Sequence, residues 1–187
     1  MHSLLRTASI LFVWLAAAMP ASAAAKVFMT RDEALALAFP KAEIDRHTVF
    51  LTKAQEEAVE KLCGGALTAP IVYPYEARLE GELMGYAYFD THKVRTLRET
   101  LMVVVAPDHS IRRVEVLAFA EPQDYVPRAS WYEQFQGRKL DDSLALKRGI
   151  KGVTGATLTA VATTKSARRV LAIHQVLHEP SAEVASR

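Results

Sequence analysis

The residues best suited to chemistry are three threonine hydroxyls, those of Thr154, Thr157 and Thr159, in the run Gly152-Val153-Thr154-Gly155-Ala156-Thr157-Leu158-Thr159. Glycines 149, 152 and 155 keep this backbone pliable, and Gly155 is free to take a positive φ at no steric cost. Threonine and glycine placed just before an apolar-periodic run also signal a helix start. The loop therefore delivers Thr154 and Thr157 to a helix N-terminus, where free backbone N–H groups and the positive end of the helix dipole favour a phosphate. Charge agrees: residues 143–178 hold Lys147, Arg148, Lys151, Lys165, Arg168 and Arg169 and no acidic residue. Two common phosphate loops do not fit. The Walker pattern ends in Gly-Lys-Ser/Thr, which is absent, and the dinucleotide pattern is Gly-x-Gly-x-x-Gly, whereas the spacing here is Gly-x-x-Gly-x-x-Gly. The residues alone leave two readings open, a phosphate-holding loop or a Gly/Thr-rich helix cap.

The elements that must position this loop are legible upstream and downstream. Residues 24–69 read as a helical lead-in. Thr30 with Glu33 forms a capping box before Leu35, Ala36 and Leu37, and Pro40 ends the helix. Thr52 with Gln55 forms a second box, for a helix running to about Leu62 and stopping at Gly64-Gly65. From Ile71 the apolar period changes to two. Tyr75, Ala77 and Leu79 alternate with charged residues, Gly81 turns the chain, and Met84, Tyr86 and Tyr88 return as the partner strand. Residues 101–105 and 111–119 form two further strands around a turn at 107–110. Sequential strands with short turns imply a largely antiparallel sheet, hence an α+β fold. Ser130 with Glu133 predicts a third capping box over a short helix closed by Gly137, with Trp131 and Phe135 on one face. The last helix is expected from about Thr159 to His178, with Ala167, Val170, Ile173 and Leu177 as its apolar stripe. His174 and His178, spaced i, i+4, lack an evident third ligand and are expected at a solvated helix end. Residues 179–187 are expected as a flexible tail.

Thr154-Gly155-Ala156-Thr157, followed by Leu158 and Thr159, resembles the flavinylation motif of FMN-binding domains, found in the G subunit of Rnf complexes and the C subunit of sodium-translocating NADH:quinone reductases. In that family the motif reads Ser/Thr-Gly-Ala-Thr with a hydrophobic residue and Ser/Thr after it, and its fourth residue carries FMN through a phosphoester; that position is Thr157. The family often has an Asp three residues before the motif, where this chain has Lys151. Glu121-Pro122, at the end of a strand, resembles a degenerate form of the family's Glu-Thr-Pro-Gly loop beside the flavin ring. Trp131-Tyr132-Glu133-Gln134-Phe135-Gln136-Gly137 resembles its Trp-x-x-Gln-Phe-x-Gly segment. The resemblance spans roughly residues 84–177. It implies an FMN-binding domain over 70–178 with the C-terminal helix following the attachment loop. It also implies covalent FMN on Thr157 and a cofactor site built from Thr154, Gly155, Ala156, Leu158, Thr159, Glu121 and Trp131. A Mg-dependent flavin transferase using FAD would serve maturation, and a membrane or periplasmic redox protein would be the electron partner.

Composition bounds the rest. Residues 1–23 read as a signal peptide: a basic start through Arg6, an apolar run from Ile10 to Met19, Pro20, and Ala21-Ser22-Ala23 as an A-x-A cleavage site. An uncleaved N-terminal anchor is the alternative. Either way the loop is expected outside the cytoplasm, in the periplasm or exported. The formal charge is +2, so no nucleic-acid partner is expected. A single cysteine, Cys63, forms no redox pair and reads as a small buried hydrophobe at a helix end. No metal site and no paired acid and base groups stand out, so an electron carrier is expected rather than a self-contained catalyst. The alternatives are a non-flavinylated anion- or ligand-binding module and a flavin reductase acting on a small substrate.

Overall fold

The run Leu101-Met102-Val103-Val104-Val105 is wholly apolar because both faces of its strand are covered. The computed structural model of the protein describes residues 25–67 and 69–178, so the expectations for the leader (1–23) and the tail (179–187) lie outside the described residues. Among the described residues there are eight strands: β1 (Lys26–Val27), β2 (Glu43–Arg46), β3 (Val49–Phe50), β4 (Ile71–Val72), β5 (Tyr75–Leu79), β6 (Glu82–Lys93), β7 (Arg98–Val105) and β8 (Ile111–Phe119). The α-helices are α1 (Arg31–Ala38), α2 (Lys53–Cys63), α3 (Ala129–Tyr132) and α4 (Thr157–His178). Six strands form one sheet in the order β1-β8-β7-β6-β5-β2, every neighbouring pair antiparallel, and β3 pairs separately with β4. The fold is α+β.

Local chemistry explains the connections. Leu79 pairs with Glu82, and the two residues between them, Glu80 (φ 51°) and Gly81 (φ 85°), both take positive φ. That is the turn whose twist matches a two-residue hairpin. Odd residues of β7 (Leu101, Val103, Val105) pack with Val170, Leu171 and Ile173 of α4, while Met102 and Val104 pack with Ala34, Leu35 and Phe39 beneath α1. All five β7 residues are fully buried. Helix α2 packs on α4. Cys63, half-buried at the end of α2, packs against the same core.

The lead-in contains both expected capping boxes, at Thr30/Glu33 and Thr52/Gln55. It also supplies the two edge strands of the sheet, β1 and β2, which the helical reading did not foresee. β1 is two residues long, and β2 reads Glu-Ile-Asp-Arg with only Ile44 packed inward, so neither carries an apolar alternation. The third capping box is a correction. Helix α3 begins at Ala129 behind Arg128, which makes no side-chain cap, and Ser130 lies inside the helix; Glu133 opens a 3-10 turn, Glu133–Phe135.

The second correction concerns α4. Its buried face is wider than the predicted stripe and includes Thr159, Thr163, Thr164, Ser166 and His174. A polar network fills the space between α4 and the far end of β6. Arg169 grips Asp90 through two bonds (3.0 and 2.6 Å), and Ser166 donates to Asp90 Oδ2 at 2.7 Å. His92 bridges Asp90 (2.8 Å) and Glu99 (3.1 Å), and Thr163 donates to Glu99 at 3.3 Å. At the helix's other end His174 is 1% exposed rather than solvated, bonded to the Tyr88 hydroxyl through Nδ1 and to His109 through Nε2, each at 2.9 Å.

Candidate functional site

Two side chains from the α3 segment set the loop before α4. Gln134 Oε1 accepts the Lys151 N–H at 2.7 Å, and Trp131 Nε1 donates to the Lys151 carbonyl at 2.7 Å. Trp131 is itself held edge-on by Tyr132 and Phe135. Arg138 donates to the carbonyl of Gly149 at 2.9 Å. A Cβ on Gly149 would collide with the Ser143 carbonyl oxygen, so only glycine fits that close approach. The chain then turns over Val153, whose carbonyl accepts the Ala156 N–H and the Thr157 hydroxyl, each at 3.3 Å. Gly155 takes φ +84°, as its sequence context predicts. Helix α4 starts at Thr157, two residues earlier than expected, and its first N–H groups have no partner within the helix.

These residues face a cavity of about 180 Å³. Gly155, Ala156, Thr157, Leu158 and Thr159 form one wall, and Glu121, Tyr125, Val94 and Arg95 form the other. The structure thus brings Glu121, 34 residues upstream, to the same small space as Gly155 to Thr159. Thr154 is exposed on the loop, and neither it nor Trp131 lines the cavity. Trp131 acts on the site through the backbone of Lys151.

The three hydroxyls differ sharply. Thr159 is 1% exposed and donates to the Tyr125 carbonyl at 2.7 Å, so its oxygen is committed to the fold. Thr157 is exposed, and its one bond, to Val153, is long. Glu121 is 6% exposed, and its Oε1 accepts the N–H of Thr96 (2.6 Å), the N–H of Leu97 (2.7 Å) and the Thr96 hydroxyl (3.2 Å). The backbone N–H groups of Leu97 and Thr96 hold its carboxyl below the ordinary carboxylate range.

Three lining residues escaped the sequence reading: Val94, Arg95 and Tyr125. The first two sit in the β6–β7 turn, about 60 residues from the loop, and no local pattern links them to it. The basic residues that the sequence did suggest, Lys147, Arg148 and Lys151, do not line the cavity; Arg148 lies 3.9 Å from Asp142 on the surface. A larger groove of about 700 Å³ lies between Phe28-Met29, β8 and the α3 segment, and none of the loop hydroxyls reaches it. Among the described residues no three His, Cys, Asp or Glu side chains are placed to hold a metal ion. Comparison of the chain with family models, with curated proteins and with solved structures finds no match in any of the three.

Proposed function

We propose that the protein is an extracytoplasmic electron-transfer flavoprotein, with FMN bound covalently as a phosphoester of Thr157 Oγ1. The observation that carries this reading is the division among the threonines. Only Thr157 presents an exposed hydroxyl on the cavity wall at the start of a long helix, while Thr159 is spent internally and Thr154 lies outside. The residues fit the group. The helix N-terminus and Arg95 would receive the phosphate, and Tyr125 (37% exposed) and Leu158 (52% exposed) offer apolar surface to a ring.

At about 180 Å³ the cavity is smaller than the ~300–1,000 Å³ of pockets that engulf a drug-sized ligand. A bound ring would keep an edge in solvent, which suits exchange with a membrane or periplasmic redox protein. Bound FMN supplies the electron chemistry; the chain tethers it, orients it and surrounds it with charge. A threonine hydroxyl is a weak nucleophile at neutral pH, so attachment calls for an activated donor and an external flavin transferase. A second reading, a non-flavinylated module that holds a free anion, is favoured by the same Arg95 and helix terminus.

Co-expression of the exported chain with a flavin transferase tests the proposal. The expected result is a mass increment of one FMN and yellow-green fluorescence in a denaturing gel, both lost in Thr157→Ala. An unlabelled wild-type protein, or a label that survives Thr157→Ala, overturns it.

A further inference from the structure

We infer that the cavity recognises the phosphate of a flavin nucleotide, a monoester in free FMN and a diester once joined to Thr157, that Arg95 is the side chain that meets it, and that Glu121 is a positioning residue for Arg95. This rests on the reading of a phosphate tethered at Thr157 and names what that reading leaves open, the residue that recognises the phosphate.

The turn between β6 and β7, residues 93–98, reads Lys-Val-Arg-Thr-Leu-Arg, with three cations and no acid. Solvent alone would not hold such a turn in one place. Glu121 does. From just beyond β8 its buried carboxylate oxygen takes two successive backbone N–H groups and a hydroxyl of the turn, those of Thr96 and Leu97, at 2.6, 2.7 and 3.2 Å. These bonds fix the backbone immediately after Arg95, which lines the same cavity as Thr157. At about 180 Å³ the cavity is small. A phosphate joined to Thr157 Oγ1 would lie on a cavity that Arg95 also lines. The planar guanidinium fork matches two phosphate oxygens, and α4 adds its positive end. Glu121 is itself an anion and would repel a phosphate, so its contribution runs through the turn and not through contact with the ligand.

The test uses the full exported chain carrying Thr157→Ala, so that binding is reversible, titrated with FMN and with riboflavin, which lacks the phosphate. FMN is expected to bind about tenfold more tightly than riboflavin, and inorganic phosphate to compete with FMN. Adding Arg95→Ala, at an exposed position, should remove that preference while riboflavin affinity stays within about twofold. Arg95→Lys should keep part of it. Glu121→Gln should lower the preference and speed hydrogen exchange at the Thr96 and Leu97 amides. Equal loss of both flavins in Arg95→Ala, an FMN preference that survives it, or no FMN preference in the Thr157→Ala protein each overturns the inference. The mass of the wild-type protein reports on the covalent reading separately, since a missing label there leaves the FMN-to-riboflavin ratio measurable.

Discussion

Thr159 donates its hydroxyl to the Tyr125 carbonyl oxygen at 2.7 Å from a position 1% exposed. This bond ties the first turn of α4 to the segment that follows β8, and it closes one side of the cavity. Thr159→Ala leaves that carbonyl without its donor and should destabilise the protein by about 1–3 kcal/mol. Thr157→Ala removes an exposed hydroxyl and should stay within about 0.5 kcal/mol of wild type. Urea melts of the two variants, paired with the FMN mass increment, should give opposite patterns: Thr159→Ala less stable but labelled, Thr157→Ala stable but unlabelled.

The glycines of the loop should not be equivalent. Gly155 has open space around a built Cβ, but its φ of +84° strains any L side chain, so Gly155→Ala should cost about 1–2 kcal/mol. Gly149→Ala drives a methyl into the Ser143 carbonyl and should cost as much or more, with a shifted backbone. Gly152→Ala meets neither obstacle and should be near neutral. Thermal melts of the three variants rank these effects.

His92 and His174 make stability depend on pH from both sides. Burial disfavours the charged form of His92, but hydrogen bonds and attraction from Asp90 and Glu99 outweigh it and raise its pKa to about 9. A raised pKa means that its stabilisation is complete below the unfolded value near 6.5 and is lost as pH climbs through about 9. For His174, burial first and then His178 and His109 lower the pKa to about 3. The unfolded state then binds the proton more readily, so stability falls as pH drops from about 6.5 toward about 3. Denaturant melts across pH should show His92→Gln flattening the alkaline limb and His174→Gln flattening the acid limb.

Asp90 sits among His92, Ser166 and Arg169, and despite burial its carboxyl is held well below the ordinary range by the His92 hydrogen bond and by Arg169. Asp90→Ala strands a largely buried Arg169 and should cost about 3 kcal/mol or more. The double variant Asp90→Leu with Arg169→Leu leaves no stranded guanidinium and should recover part of that loss, a non-additivity that equilibrium unfolding measures directly.

Much of the scaffold was legible because it rests on short-range rules. The capping boxes at Thr30 and Thr52, the turn at Gly81 and the period-two strands each depend on residues within a few positions of one another. The apolar run of β7 announces a strand, and that both its faces are covered emerges only in the fold. The edge strands were not legible: β2 is stabilised by a neighbour already in place, and its charged residues carry no pattern of burial. Polar contents hid the far end of β6, where Asp90 and His92 are partly buried once α4 brings Ser166 and Arg169 to Asp90. The same holds for His174, which looks like a solvated helix end until Tyr88 and His109 are set against it.

By itself, the sequence determined the antiparallel α+β framework and the loop that places Thr154, Thr157 and Thr159 at a helix start, with Gly155 supplying the positive φ. It could not rank the three hydroxyls, because exposure and internal bonding depend on what packs opposite. The tertiary structure decided that Thr159 is committed to Tyr125, that Trp131 braces Lys151, and that Glu121 spends its carboxylate on the 93–98 turn. It also decided that Arg95, rather than the basic residues beside the motif, lines the cavity. The physical reason is the same throughout: helix starts and turns are set by neighbours in sequence, whereas a cavity is made of side chains that only the folded sheet brings together.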